Sequence, residues 1–295
     1  MISKTAMITI CGRPNVGKST LTNALAGEKI AIVSNKPQTT RNRITAVCQR
    51  GETQFVFLDT PGFHKPRTRL GDYMVNVVRQ SVADVDAVVL VVEPVASLGP
   101  QERELIASIK AANCPAVLAI NKLDTVEPEK LLAVIALYSE AYAFNAIVPI
   151  SAKTGDGVEE LLKELDKFAV ESPALFPEGV TTDQPEKQVC AELIREKLLL
   201  NLEREVPHGT AVEITRFSER DDGIIDLEAT IYCEKASHKG IIIGKHGAML
   251  KKIGEDARKD IEEFMGTKVF LQTWVKVKEN WRDSDVALSN FGYKE

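Results

Sequence analysis

The chain has 295 residues, 44 % of them apolar, and a formal net charge of −5. That length accommodates one large or two ordinary domains. No apolar run reaches the roughly 18 residues of a membrane-spanning helix, and the acidic balance excludes a nucleic-acid partner attracted by overall charge alone.

Five cysteines, odd in number and without C-x-x-C spacing, argue against a disulfide framework or a zinc site and for a reducing compartment. Met1-Ile2-Ser3-Lys4 leads straight into an apolar strand, so no secretory leader is expected. Met7 to Cys11 reads as a buried strand, and Thr20 to Ala26 as a helix closed by Gly27. Between them, Gly12-Arg13-Pro14-Asn15-Val16-Gly17-Lys18-Ser19 matches the P-loop pattern G-x-x-x-x-G-K-[ST] at every fixed position. Strand, glycine loop and helix make a phosphate cradle, in which backbone N–H groups point inward and the helix N-terminus adds partial positive charge. Lys18 is expected on the β/γ-phosphate oxygens, Ser19 on Mg²⁺, and Thr20 in the first helical turn beside them.

Residues 28–43 lack apolar periodicity and contain Pro37-Gln38-Thr39-Thr40-Arg41-Asn42-Arg43. A hydroxyl-rich loop in this place suits a nucleotide-sensing switch, with Thr40 as the expected Mg²⁺ ligand and Thr39 as the alternative. Residues 44–50 and 54–59 alternate as a strand pair. The second strand ends at Asp59-Thr60-Pro61-Gly62-Phe63, where Asp59 is expected to hold Mg²⁺ through water and Gly62 to offer its N–H to the γ-phosphate. A helix is expected at 71–83, a doubly buried strand at 87–92 and another helix at about 101–111. The strand 116–120 ends at Asn121-Lys122-Leu123-Asp124. The Asp124 carboxylate can accept both N1–H and the exocyclic amine of guanine, a donor pair that adenine lacks. Lys122 is expected over the base plane and Asn121 as a tie back to the P-loop. After the strand 146–150, Ser151-Ala152-Lys153 is expected to bring the Ala152 N–H to the guanine O6. An amphipathic helix from Gly157 to about Val170 closes this half.

Motifs at the carboxyl ends of successive strands obey the general rule for open α/β sheets. This half resembles the translation-factor-like branch of small GTPases. Phe63 occupies the position where Ras-like switches carry a water-orienting glutamine, which predicts slow intrinsic hydrolysis. Asn15 stands as in relatives that recruit K⁺ to the P-loop, making it a candidate K⁺ ligand.

Residues 171–186, with three prolines and no apolar period, read as a linker. A helix at 187–203, two strands around Asp221-Asp222-Gly223, and a last strand at 268–277 follow. Between them lies Ile242-Ile243-Gly244-Lys245-His246-Gly247 before a basic helix. This matches the KH signature with its G-x-x-G loop. Lys239, Lys245, His246, Lys251 and Lys252 are expected to face phosphates, and Ile242 and Ile243 to floor a groove for bases. Residues 181–295 carry a net charge of −4, yet 235–259 hold seven Lys and Arg against two acidic residues, net +5. Positive charge is therefore focused on the expected RNA site.

The expected fold is an α/β P-loop G domain (1–170), a mostly parallel six-stranded sheet with helices on both faces, then the linker and an α+β type II KH domain (187–278). The tail, 279–295, is expected either to pack on the KH domain or to touch RNA. Taken together, the motifs resemble the Era family of bacterial GTPases over essentially the whole chain. The resemblance implies a monomeric GTP-hydrolysing assembly factor of the small (30S) ribosomal subunit. It implies binding near the 3′ end of 16S ribosomal RNA, and a cytoplasmic location with peripheral association at the inner membrane. GTPase partners in tRNA modification share the Thr39-Thr40-Arg41 switch but lack a KH domain. An RNA-binding module with a degenerate nucleotide site is the other class, and intact Lys18, Ser19, Asp59 and Asp124 count against it.

Overall fold

A computed structural model describes residues 2–63, 66, 68–81 and 85–293. It forms two compact units. The first comprises residues within 1–31, 40–66 and 71–183, and the second those within 32–39, 67–70 and 184–295.

In the first unit the elements run β1 (Lys4–Cys11), α1 (Lys18–Ala26), β2 (Ile44–Arg50), β3 (Thr53–Asp59), α2 (Arg69–Ser81, whose first two residues are counted with the second unit), β4 (Ala87–Val92), α3 (Pro100–Ala112), β5 (Ala116–Ile120), α4 (Pro128–Ala141), β6 (Ala146–Pro149), α5 (Val158–Asp166) and β7 (Val170–Glu171). The sheet order is β2-β3-β1-β4-β5-β6, parallel except for the antiparallel β2. To the six expected strands the structure adds the two-residue β7, antiparallel to the start of β1. The helix expected at 71–83 begins two residues earlier, and residues 82 and 83 lie outside the described ones.

Strand β4 shows why the central strands read as unbroken apolar runs. Ala87, Val89 and Val91 join Leu21 of α1 and Leu161 and Leu165 of α5 in one core. Val88, Leu90 and Val92 join Val75 of α2, Leu105 and Ile109 of α3 and Val134 of α4 in another. Each fully buried aliphatic side chain contributes about 1.5–3 kcal/mol, and with both faces covered no position is left for a polar residue. The chain reverses its winding direction at β1, whose neighbours are β3 and β4. The crevice beyond their carboxyl ends is where ligands bind in such sheets.

The segment read as a linker is tied to this sheet. The Val47 N–H donates to the Thr181 carbonyl at 2.7 Å, covering the edge of β2, and Gln54 accepts from the N–H groups of Leu175 and Phe176.

The second unit has the order α6 (Glu186–Asn201), β8 (Ala211–Glu219), β9 (Ile225–Cys233), α7 (Ala236–Ile243), α8 (Ala248–Met265), β10 (Val269–Val277), then α9 (Asp285–Asn290). Its three strands lie β10-β9-β8, with β10 parallel to β9 and β8 antiparallel to it. This is the α-β-β-α-α-β arrangement of a type II KH domain. One face of the sheet is buried under α6 and α8 through Leu193, Ile194, Leu198, Ile253, Ala257 and Ile261. Residues 32–39 belong to this unit. Ile32 lies in its core, the Val33 N–H donates to Glu196 Oε1 at 2.9 Å, and Lys36 Nζ donates to the Leu199 and Leu202 carbonyls at the C-terminal end of α6.

Of the two alternatives for the tail, packing is the one observed. Trp281 is completely buried, its indole N–H donates to the Gly209 carbonyl at 2.9 Å, and its ring meets Phe291 and Tyr293. Trp281→Ala is expected to destabilise the second unit by about 3–5 kcal/mol. A urea unfolding curve followed by circular dichroism checks this, and an unshifted midpoint contradicts the anchoring role.

Candidate functional site

The P-loop leaves β1 at Gly12 and becomes helical at Lys18. Gly17 takes φ 96, in the left-handed region, and a Cβ there would collide with the Asn121 side-chain amide. Asn15 is also left-handed (φ 67) and exposed. The Val16 side chain is buried in the core, so only its backbone faces the loop. Thr20 is half-buried in the first turn of α1. Lys18 is buried, and its Nζ donates to the carbonyls of Gly12 (3.2 Å) and Arg13 (2.9 Å). Burial lowers its pKa, and the Asp59 charge opposes that shift.

Three oxygen-bearing side chains converge beside it. Ser19 Oγ lies 2.7 Å from Thr40 Oγ1 and donates to Asp59 Oδ2 at 2.9 Å. The other carboxylate oxygen of Asp59, Oδ1, is buried without a hydrogen-bond partner. Burial pushes the Asp59 carboxyl up to about 6, while Lys18 and Ser19 pull it back. A buried carboxylate with an unsatisfied oxygen and two hydroxyls is a hard-oxygen donor set that fits Mg²⁺. Thr39 is committed elsewhere: its hydroxyl lies 2.7 Å from Ser34 Oγ and 2.6 Å from the Lys36 carbonyl. Of the two threonines, Thr40 therefore stands at this site.

Beyond Asp59, Thr60 spends its hydroxyl on the Ile10 carbonyl at 2.9 Å, and Pro61 is buried. Gly62 lies so close to the P-loop that a Cβ would stand 2.8 Å from Pro14 Cα. The Phe63 N–H donates to the Gly12 carbonyl at 3.1 Å. Its ring, 4 % exposed, joins Val75 and Val78 in the core, so Phe63 supplies a backbone contact where a ligand-facing residue was expected.

At the other end of the crevice, Asn121 Nδ2 donates to the Val16 carbonyl at 2.8 Å, the expected tie to the P-loop. Asn121 Oδ1 accepts from the Ala152 N–H at 2.9 Å. The N–H expected to reach the guanine O6 is therefore already engaged. Lys122 adopts a left-handed backbone (φ 68), and the Leu123 N–H donates to the Ile150 carbonyl at 3.0 Å. Asp124 Oδ1 accepts from Ser151 Oγ at 2.7 Å, which holds its carboxyl below the usual carboxylate range. An exposed carboxylate kept ionised at the rim suits the paired donors of guanine. Lys153 beside it is exposed.

In the second unit, Gly244 and Gly247 both have positive φ (71 and 78), and His246 between them is also left-handed at φ 51. A Cβ at Gly244 would stand 2.7 Å from Met249 Cβ, whereas Gly247 faces open space. Lys245 and His246 are exposed at the turn. The loop borders a groove of about 360 Å³ lined by Gly247, Leu250, Lys251, Arg258, Leu271 and Thr273. Ile242 is 0 % exposed and belongs to the domain core, so it does not floor this groove, and the half-buried Ile243 packs against the same core. Leu250 of α8 and Leu271 of β10 are the apolar lining instead. Lys239 is half-buried on α7 and Lys252 is exposed on α8; neither lines the groove.

Residues 7–122 match the family described as "50S ribosome-binding GTPase", and residues 205–282 match the KH domain family. The chain is 53 % identical to the GTPase Era of Ruminiclostridium cellulolyticum, over all of this chain and 99 % of that protein. It is 49 % identical to the GTPase Era of Alkaliphilus metalliredigens over the full length of both. Its structure superposes with a TM-score of 0.95, at 36 % identity, on a crystal structure of Era in complex with MgGDPNP and nucleotides 1506–1542 of 16S ribosomal RNA. That match covers 99 % of this chain and all of the other. An Aquifex aeolicus Era variant bound to GDP.AlF4⁻ superposes equally well.

Asp124→Asn is expected to lower affinity for GDP roughly 10²-fold or more and to raise affinity for XDP, whose 2-oxo group pairs with the amide. Competition between the two nucleotides measures this, and retained guanine preference contradicts the role given to the carboxylate.

Proposed function

Since the chain belongs to the Era family of GTPases, we propose that it hydrolyses GTP to GDP and phosphate and binds the 3′ region of 16S ribosomal RNA in assembly of the 30S subunit. The observation that carries the nucleotide half is the convergence of Ser19, Thr40 and Asp59 oxygens beside the buried Lys18. Lys18 and the P-loop amides bind the β/γ-phosphates, and Ser19, Thr40 and Asp59 would hold Mg²⁺. When bound, the metal neutralises charge on the transferring phosphoryl group. Water attacks the γ-phosphorus, the bond to the β,γ-bridging oxygen breaks, and GDP departs. Gly62 offers its N–H to the γ-phosphate. Asn121 braces the loops, and Asp124 and Lys122 hold the base. The complete KH unit favours this reading over a GTPase partner in tRNA modification. A cytoplasmic location with peripheral contact at the inner membrane is part of the proposal and rests on family membership. Among the described residues no helix is long and apolar enough to cross a membrane.

The exposed, left-handed Asn15 supports K⁺ as a second cation at the P-loop. With Phe63 turned into the core, no side chain at that position orients the attacking water, and K⁺ held at Asn15 would supply compensating positive charge. GTP turnover is expected to be roughly tenfold faster in K⁺ than in Na⁺, and equal rates in the two salts remove the potassium reading.

Coupling of nucleotide to RNA requires that GTP and GDP differ in affinity for the RNA-competent state. The covalent junction between Thr39 and Thr40 supports such coupling. Thr40 stands beside Ser19, while the Thr39 carbonyl accepts from Arg195 of α6. An RNA copy of the 16S 3′ region is expected to bind more tightly with a GTP analogue than with GDP. Gly247→Asp is expected to weaken that binding about tenfold or more while leaving GTP hydrolysis intact. Identical RNA affinity in both nucleotide states contradicts the coupling, and unaltered affinity in the variant contradicts the G-x-x-G assignment.

A further inference from the structure

Three parallel strands of the first unit end side by side. Cys11 of β1 is paired with Leu90 of β4, and Val92 of β4 with Ile120 of β5. The residues just beyond those ends are therefore neighbours: Arg13 after β1, Glu93 after β4, and Lys122 after β5. Their charges form a chain. Glu93 Oε1 lies 2.5 Å from Lys122 Nζ, and Glu93 Oε2 lies 3.6 Å from the Arg13 guanidinium. Arg13 also forms an ion pair with Glu102 in the first turn of α3. The order is carboxylate, guanidinium, carboxylate, ammonium.

The two carboxylates differ in setting. Glu102 is 1 % exposed, paired with Arg13 and favoured by the helix N-terminus. It anchors Arg13. Burial, and then the Glu102 charge, push the phenol of Tyr138 up to about 12. Glu93 is about a third exposed and reaches the lysine of the base loop. That lysine has a left-handed backbone, which for a residue with a Cβ costs roughly 1–2 kcal/mol, so its direction is set by its surroundings.

We infer that Glu93 is a positioning residue of the nucleotide site, its carboxylate bridging the Lys122 ammonium and the Arg13 guanidinium of the P-loop so that the lysine stem is fixed as the platform for the base. Because the platform touches a ring face and not its edge, Glu93 acts on residence of the nucleotide and not on which purine is chosen. It acts equally on GDP and GTP, since neither pair reaches the γ-phosphate side of the crevice, where Ser19, Thr40 and Asp59 converge. The inference rests on the guanine-nucleotide reading of the site. GDP binding by the unaltered protein tests that reading, while the difference made at Glu93 tests this one.

The experiment is stopped-flow dissociation of fluorescent GDP from the full chain, with Glu93→Gln, Lys122→Met and the double variant. Glu93→Gln is expected to speed release about fivefold, the scale of a partly exposed ion pair. GDP and IDP affinity should fall by the same factor, with kcat at saturating GTP within about twofold of the original. In the Lys122→Met background the effect of Glu93→Gln should largely vanish, because the ammonium through which Glu93 acts on the base platform is gone and only the longer Arg13 contact remains. Release from the unaltered protein should also quicken as salt rises from about 0.05 to about 0.5 M, and that dependence should flatten in Glu93→Gln. The salt series on the unaltered protein needs no variant, so its quickening is read independently of any misfolding, and a salt-independent release there contradicts the assignment. Unchanged release in Glu93→Gln, or an undiminished effect in the Lys122→Met background, overturns the assignment.

Discussion

The side chain of Asn121 is the constraint on which the nucleotide site depends. One buried amide donates to the Val16 carbonyl of the P-loop and accepts from the Ala152 N–H, so three loops from the ends of β1, β5 and β6 share a single planar group. Both of its polar atoms are satisfied, and removing either partner would leave a buried donor or acceptor unpaired, a penalty of about 1–3 kcal/mol. The same amide explains a backbone choice 104 positions away in the sequence, since Asn121 fills the space beside Gly17 that a Cβ would need. Glycine there serves the phosphate cradle and the base loop together. Substituting either residue alone misfits both.

Much of this was legible in the sequence because the relevant forces act through short patterns. The strands of the first unit are covered on both faces, so they appear as apolar runs, and each motif sits where such a run ends. Helix α4 is different. Leu131, Val134 and Tyr138 are buried, but Leu132 beside them is 71 % exposed, and an apolar stretch on all sides has no readable face. Ile242 and Ile243 show the limit of reading a groove from apolar residues before a G-x-x-G turn. Helix α7 turns Ile242 into the core, and the lining comes from Leu250 and Leu271, brought together only by the fold. Glu93 and Glu102 match no motif at all. Their meaning lies in the adjacency of β1, β4 and β5, which no local window contains.

Segment 28–43 shows a related limit. As sequence it is one polar loop following a P-loop helix. In the structure its residues 32–39 are held by α6 through Ile32, Val33, Lys36 and Thr39, whereas Thr40 keeps company with Ser19 and Asp59. The division falls on one peptide bond between two threonines. The polar partners of 32–39 lie more than 150 residues downstream on and just after one helix: the side chains of Arg195 and Glu196 and the carbonyls of Leu199 and Leu202. Arg195 and Glu196, with Lys197 beside them, read in the sequence as charged positions of a helix. These are buried despite their charge. Lys197 pairs with Glu196 and Asp260, and Arg195 with Glu192, so the burial is compensated within the unit.

Phe63 brings these points to bear on rate. A switch that hydrolyses quickly needs a polar group to orient water, and here the corresponding side chain is packed with Val75 and Val78. Its N–H meanwhile holds the Gly12 carbonyl, and Gly62 next to it lies against Pro14. The D-x-x-G loop is thus fixed to the P-loop by backbone contacts that leave no room for a substituent. That geometry sets the Gly62 backbone against the P-loop. It contributes less to the attack itself, because nothing at position 63 distinguishes the transition state from the ground state. Stabilisation of the transition state is thereby left to groups other than the side chain at position 63.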